Sequence, residues 1–324
     1  MKFKLFFPIL ALTIAILACS LQTSPTASPP SLITGTDTLV PPLTITDTVV
    51  PPVTITSTPT LPSPTPGSSL TVDKLRNGTY FAPAFGRNVT LVNGSYSVNT
   101  ASDVYNVQML DIHAFGDLNG DGVEDAGIIL VENSGGTGQF ESVIAVYNSG
   151  GSPSQAGQYI LGDRVQINSM NISSGVIHLD MLVQGPSDPL CCPSLAEKQS
   201  YWMIGSRLWL MRVTTTPSGA ERSINIDSPA VWASVTSPFT VTGNVPISPF
   251  ENNLAYRIFL PDGTKVNESS LLVNSTGMGM PGTFSKTFDL SMAGITGPVI
   301  IQFVDVSMAD GSTMAMGSVV VMVH

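Results

Sequence analysis

The chain has 324 residues, 43% of them hydrophobic and only 11% charged, and a formal net charge of −10. A chain so acidic and so thinly charged is a poor partner for nucleic acid or an anionic lipid surface, both of which need clustered Lys and Arg; it is compatible with cation binding. Its three cysteines, Cys19, Cys191 and Cys192, cannot form a disulfide framework, so the core must rest on apolar packing, and the length allows two domains.

Residues 1–18 read as an export signal. Lys2 and Lys4 precede an apolar run from Leu5 to Ala18, about 14 residues, which suits a signal peptide and is too short for a spanning helix. The run ends Ile16-Leu17-Ala18-Cys19-Ser20, which resembles the bacterial lipobox. The resemblance implies cleavage before Cys19, lipidation of its sulfur and amine, and stable anchoring of the mature chain in a membrane, since two or more acyl chains hold where one holds only marginally. Losing Lys2 and Lys4 with the signal takes the charge from −10 to −12. An ordinary signal peptide with a coincidental Cys is the competing reading.

Residues 19–69 are rich in Thr, Ser and Pro and contain a ten-residue near-repeat, Asp37 to Thr46 and then Asp47 to Thr56. Proline removes backbone donors and favours extended geometry, so the segment reads as a disordered linker or semi-rigid stalk. From 70 to 214 the apolar period is mostly two. Asn88 to Val98, with Asn93-Gly94 at its centre, reads as strand, turn, strand. Strands are expected at Val104–Phe115, Gly127–Val131, Phe140–Tyr147, Tyr159–Leu161, Val165–Ile172, Val176–Val183, and across Trp202–Val213 with a turn near Gly205. No long 3.6-period segment stands out, though Leu195–Ser200 could hold one helical turn. This domain is therefore mainly β, or α+β if that turn forms.

Residues 215–222 read as an interdomain linker. From 223 to 324 short strands recur between turn signals at Ser237-Pro238, Asp262-Gly263, Pro281-Gly282 and Asp310-Gly311. About seven strands in about a hundred residues is the count of an immunoglobulin-like sandwich. Ile226-Asp227-Ser228-Pro229, Ser237 to Gly243, Phe250-Glu251-Asn252, Gly282-Thr283-Phe284 and Ala309 to Ser312 together resemble the Gmad2 domain, an immunoglobulin-like domain of bacterial spore germination and envelope proteins. The resemblance implies a β-sandwich and an extracytoplasmic, cell-envelope setting, with no reaction attached.

The chemistry-bearing motif is Asp117-Leu-Asn-Gly-Asp-Gly-Val-Glu-Asp125. Oxygen-bearing side chains at positions 1, 3, 5 and 9, with Gly122 at 6, suit a hard cation, most plausibly Ca²⁺. Asp117, Asn119, Asp121 and Asp125 would offer side-chain oxygens and Val123 its carbonyl. Position 12 is Ile128, so the closing Glu of an EF-hand is missing. With Phe115-Gly116 before it and Ile128-Ile129-Leu130 after it, the loop resembles those of FG-GAP-type β repeats; a single copy does not imply their propeller. A structural ion is expected rather than a catalytic one, against a solvated Asx turn as the plainer alternative.

Cys191-Cys192 lies in a Pro-bounded turn and is read as a vicinal disulfide, two thiols or a soft-metal pair. His113 and His178 read as ordinary strand histidines, and no HExxH, GxSxG or P-loop pattern appears. The six methionines from Met278 to Met316 read as core and loop filling rather than a copper site. The expected function is a lipid-anchored, non-catalytic binding or scaffolding module for a cell-wall polymer, polysaccharide or envelope protein, with no nucleic-acid partner. The alternatives are an extracytoplasmic hydrolase using the acidic loop or Asp111 and His113, and a redox or metal sensor using Cys191-Cys192.

Overall fold

The computed structural model describes residues 69–100 and 104–324, which fall in one compact unit spanning 59–324. The signal 1–18, Cys19 and the tether to Ser68 lie outside the described residues. The fold is mainly β with a C-terminal immunoglobulin-like sandwich, as the period-two pattern indicates.

The described chain opens with α1 (Val72–Leu75), one turn capped by the Thr71 hydroxyl, which accepts from the Lys74 amide. A hairpin of β1 (Thr79–Ala82) and β2 (Arg87–Thr90) follows. A five-stranded antiparallel meander comes next: β3 (Ser95–Asn99), β4 (Val104–Gly116), β5 (Asp125–Asn133), β6 (Phe140–Ser149) and β7 (Ser152–Asp163). Strands β8 (Gln166–Ser173), β9 (Val176–Val183), β10 (Leu195–Ile204) and β11 (Arg207–Thr216) form a second meander.

These pieces stack in three layers. Ala126, Ile128 and Leu130 of β5 face Leu75, Tyr80 and Leu91. Ile129 of β5, with Val143 and Ala145 of β6, faces Ile177, Leu179, Met181 and Tyr201 of the second meander. Strand β5 is thus buried on both faces, which is why its sequence reads as a continuous apolar run rather than an alternating one.

The C-terminal part adds β12 (Asn225–Ser228), β13 (Ala233–Val235), β14 (Phe239–Val245), β15 (Asn253–Phe259), β16 (Lys265–Leu272), β17 (Asn274–Ser275), β18 (Gly282–Phe288), β19 (Gly297–Val306) and β20 (Thr313–Val323). Strands β12-β14-β18-β17 form one face of the sandwich and β16-β15-β19-β20 the other. Phe239, Phe284, Phe288, Phe303 and Tyr256 fill the space between them, with the Phe284 and Phe303 rings 4.8 Å apart.

The two halves share a sheet. Arg212–Thr214 of β11 pair with Ala315–Gly317 of β20, so the order runs β16-β15-β19-β20-β11-β10-β9-β8 without a break. Farther along the same edge of β20, Val321–Val323 pair in parallel with β13. Residues 215–222, expected as a linker, are instead a closed loop. Thr215 and Arg222 exchange backbone hydrogen bonds of 3.2 and 2.8 Å, and the Thr215 hydroxyl donates to the Met314 carbonyl. Arg222 places both Nε and Nη2 on Asp305 Oδ2, at 3.1 and 2.6 Å.

Two local expectations fail. Leu195–Ser200 is the first half of β10, not a helical turn. Its period of two is hard to see because the inward positions include the polar Glu197 and Gln199. The Asn93-Gly94 turn forms with positive φ at both residues (51° and 86°), as a type I′ turn requires. Its flanks share only the Val92–Ser95 bridge, however, and then part: β2 pairs with β1, and β3 with β4. The turn backbone is drawn elsewhere, Gly94 N–H donating to the Arg76 carbonyl at 2.7 Å.

Because one hydrogen-bonded sheet joins both halves, residues 69–324 should unfold in a single cooperative transition, with calorimetric and van't Hoff enthalpies agreeing. Arg222→Ala would leave the Asp305 carboxylate, 4% exposed, without its charge partner. A loss of about 3 kcal/mol in denaturant titration is expected.

Candidate functional site

The acidic loop joins β4 to β5. Its turns need left-handed backbone at Gly120 and Gly122, both at φ 80°, which only glycine adopts without cost. The side chains of Asp117, Asn119 and Asp121 cap the loop's own amides. Asp117 Oδ1 accepts from Asn119 N–H (3.2 Å) and Gly120 N–H (2.7 Å), and its Oδ2 from Gly122 N–H (2.9 Å). Asn119 Oδ1 accepts from the Asp121 amide, Asp121 Oδ1 from the Val123 amide, and Asp121 Oδ2 from Asn119 Nδ2.

Asp125 behaves differently. It is fully buried at the start of β5, and its two oxygens accept from Leu118 N–H (3.0 Å) and Asn148 N–H (2.8 Å). Burial raises its pKa; the two amides oppose this, and the charges of Asp121 and Asp117 add to it. On Asp117 burial also acts upward, but the amides of Gly122, Gly120, Asn119 and Asp121 outweigh it and hold the carboxyl below its ordinary value.

Counting lone pairs gives the loop's capacity for a cation. One remains on Asp117 Oδ2, one on Asn119 Oδ1 and one on each oxygen of Asp121. Asp125, expected as the ninth-position ligand, ties the loop base to β6 instead. Among the described residues no three His, Cys, Asp or Glu side chains converge as a metal cluster. The loop is therefore closed by its own hydrogen bonds, and a cation would find partial coordination from Asp117, Asn119, Asp121 and the Val123 carbonyl.

The other sequence-level candidates are scattered. Cys191 and Cys192 form a vicinal disulfide with Cα atoms 3.8 Å apart, in an exposed loop between β9 and β10. Asp188 closes that loop by accepting from the Gly185 amide and from both the amide and hydroxyl of Ser194, each at 2.7 Å. His113 Nδ1 lies 2.7 Å from the Asp111 carbonyl oxygen, while the Asp111 carboxylate pairs with Arg76, so the two side chains do not form a dyad. His178 Nδ1 lies 3.0 Å from Ser200 Oγ, and burial lowers its pKa. Met278, Met280, Met292 and Met308 are exposed, whereas Met316 is in the core.

Sequence reasoning passed over three buried glutamates, Glu132, Glu141 and Glu197. Each is lifted by burial to about 7. Glu132 accepts from the Ala84 amide (2.9 Å) and Glu141 from the Val165 amide (3.0 Å), so each ties a turn to the sheet. Glu197, Gln199 and Tyr201 form a hydrogen-bonded ladder along one face of β10. It also passed over Trp202 and Trp232, which line a cavity next to Asp117 and Gly120. The only signal was scarcity: the chain has three tryptophans.

Residues 223–312 match the family model of Gmad2, the immunoglobulin-like domain of bacterial spore germination. The match begins two residues before β12 and ends one residue before β20, so the strand that joins the sandwich to the middle domain lies just beyond it. No curated protein matches the chain.

The glutamates set a pH dependence. A carboxyl whose pKa is raised on folding stabilises fully below its unfolded value, and that contribution is lost as pH rises toward the folded value. Melting temperature should therefore fall between about pH 4.5 and pH 7, and Glu197→Gln should flatten that slope.

Proposed function

We propose that this protein is a lipid-anchored, non-catalytic binding or scaffolding module of the cell envelope. The observation that carries the proposal is the Gmad2 match on a sandwich whose sheet is prolonged by four strands of the middle domain. That arrangement makes a rigid β body suited to presenting a surface. Cys19, as the lipidated residue, supplies the membrane attachment, and residues 19–69 the spacer. No helix among the described residues is long and apolar enough to cross a membrane. The partner is a wall polymer, polysaccharide or envelope protein.

Two experiments test this reading. Expressed in a bacterium, the full chain should fractionate with membranes and Cys19→Ala should be released; retention of the variant would defeat the anchor. Purified full-length protein should co-sediment with isolated cell envelopes without consuming envelope polymers, and turnover of those polymers would replace the module with an enzyme.

Ca²⁺ at the acidic loop belongs to the proposal as a structural ion. The charges of Asp121 and Asp117 add to the cost of ionising buried Asp125, and a divalent cation at the loop would relieve it. Ca²⁺ at a hundred times its dissociation constant should stabilise the protein by about 2.7 kcal/mol, and Asp121→Ala should abolish the gain. A melting temperature unmoved by chelator would remove calcium from the account.

A further inference from the structure

The least explained surface lies on the face of the long sheet that carries β12, where the segment after β12 lies against β9, β10 and β11. Two cavities of about 620 and 380 Å³ adjoin there, sharing Val176, Trp202 and Val231. Each is within the size of small-ligand sites, roughly 300–1,000 Å³. Together they make one groove on the face of the sheet.

The groove has an aromatic floor and polar ends. Trp202 comes from β10. Trp232 is 47% exposed and Val231 beside it is also exposed. Trp232 takes a left-handed backbone (φ 62°) and is fixed by its N–H donating to the Val320 carbonyl at 2.7 Å. A non-glycine residue held there by a backbone bond is a constraint the fold imposes on that side chain's position.

At one end lie Asp117 and the backbone of Gly120. At the other lie Asp227, Arg212, His178 and Ser200. Arg212 is held by Asn225 Oδ1 at 2.9 Å, and Asp227 Oδ1 accepts from Asn244 Nδ2 at 2.8 Å, so both planar groups are fixed in place.

We propose that this groove binds a neutral oligosaccharide, with sugar rings against Trp202 and Trp232 and hydroxyls on Asp227, Arg212 and Ser200. The inference rests on the envelope-module reading and names the class of polymer. Three features of the groove select this ligand. A pyranose presents an apolar C–H face that matches a flat indole, and a rim of hydroxyls that matches fixed carboxylates, amides and hydroxyls. The charged side chains of the lining, Asp117, Asp227 and Arg212, leave an excess of negative charge, which disfavours an anionic polymer. The groove lies on a sheet face, so it offers no row of free N–H and C=O groups for an added peptide strand.

The test is calorimetric titration of purified full-length protein in detergent with chitotriose, cellotriose and maltotriose, alongside tryptophan fluorescence. At least one sugar should bind saturably. Trp232→Ala should weaken it by about tenfold or more, as loss of a central aromatic contact does. Trp232→Tyr should restore most of the affinity, and both variants should keep the wild-type melting temperature because the side chain is half exposed. Absence of binding by all three sugars, binding unchanged by Trp232→Ala, or Trp232-dependent binding of an extended peptide in place of the sugars would each overturn the proposal. If envelope co-sedimentation persists in Trp232→Ala and no sugar binds, the groove assignment fails while the module reading stands. If wild-type protein does not co-sediment with envelopes, the module reading itself fails.

Discussion

The pairing of β11 with β20 is the contact on which the rest of the structure depends. Only three residue pairs make it, Arg212 to Thr214 against Ala315 to Gly317, yet it converts a sheet of five strands (β13 included) and a sheet of four into one. Without it β11 and the Ala315–Gly317 stretch of β20 would be unpaired edges, and edges are liabilities that proteins cover or pair. The local sequence is shaped to it. A Cβ at Gly317 would collide with the Ile224 carbonyl, so this position has to be glycine for β12 and β20 to approach. Around the pairing, Ile204 and Met211 pack with Ile300 and Val320, and Val213 with Val304 and Met316. Arg222 and Asp305 close the same junction with charge.

The same junction makes the groove. The outer edge of β20 is divided between β11 at one end and β13 at the other. The chain reaches β13 by crossing over the sheet face, and Val231 and Trp232 sit on that crossing. The groove is thus a consequence of how the sandwich is joined to its neighbour, and its aromatic side chain is placed by a backbone bond to β20.

Most strands were legible because period two survives wherever one face is apolar and the other polar. Val176–Val183 was read with its observed bounds, and the β-sandwich count followed from evenly spaced turn residues. What was not legible has physical causes. The inward face of β10 carries Glu197 and Gln199, which erases the pattern there. The joining of the two halves depends on contacts a hundred residues apart, such as Thr215 with Met314, which leave no periodic trace. Thr, Pro, Ser and Gly at 215–219 read as a linker because a tight closed loop uses the same residue types. The acidic loop was located correctly as a turn between two strands, but the role of Asp125 was not readable. Its spacing fits a ligand, and only its burial and its bonds to Leu118 and Asn148 show that it braces the loop.

The account's central claim, that the two halves are one body, is tested most directly by native-state hydrogen exchange at the amides of β11 and β20 near Thr214 and Met316. Protection there equal to that of the sandwich core strand β19 is the predicted result, since breaking the junction would then require global unfolding. Exchange at the junction through a low-energy local opening, with both cores still protected, would show two domains hinged at 215–222 and would contradict the account.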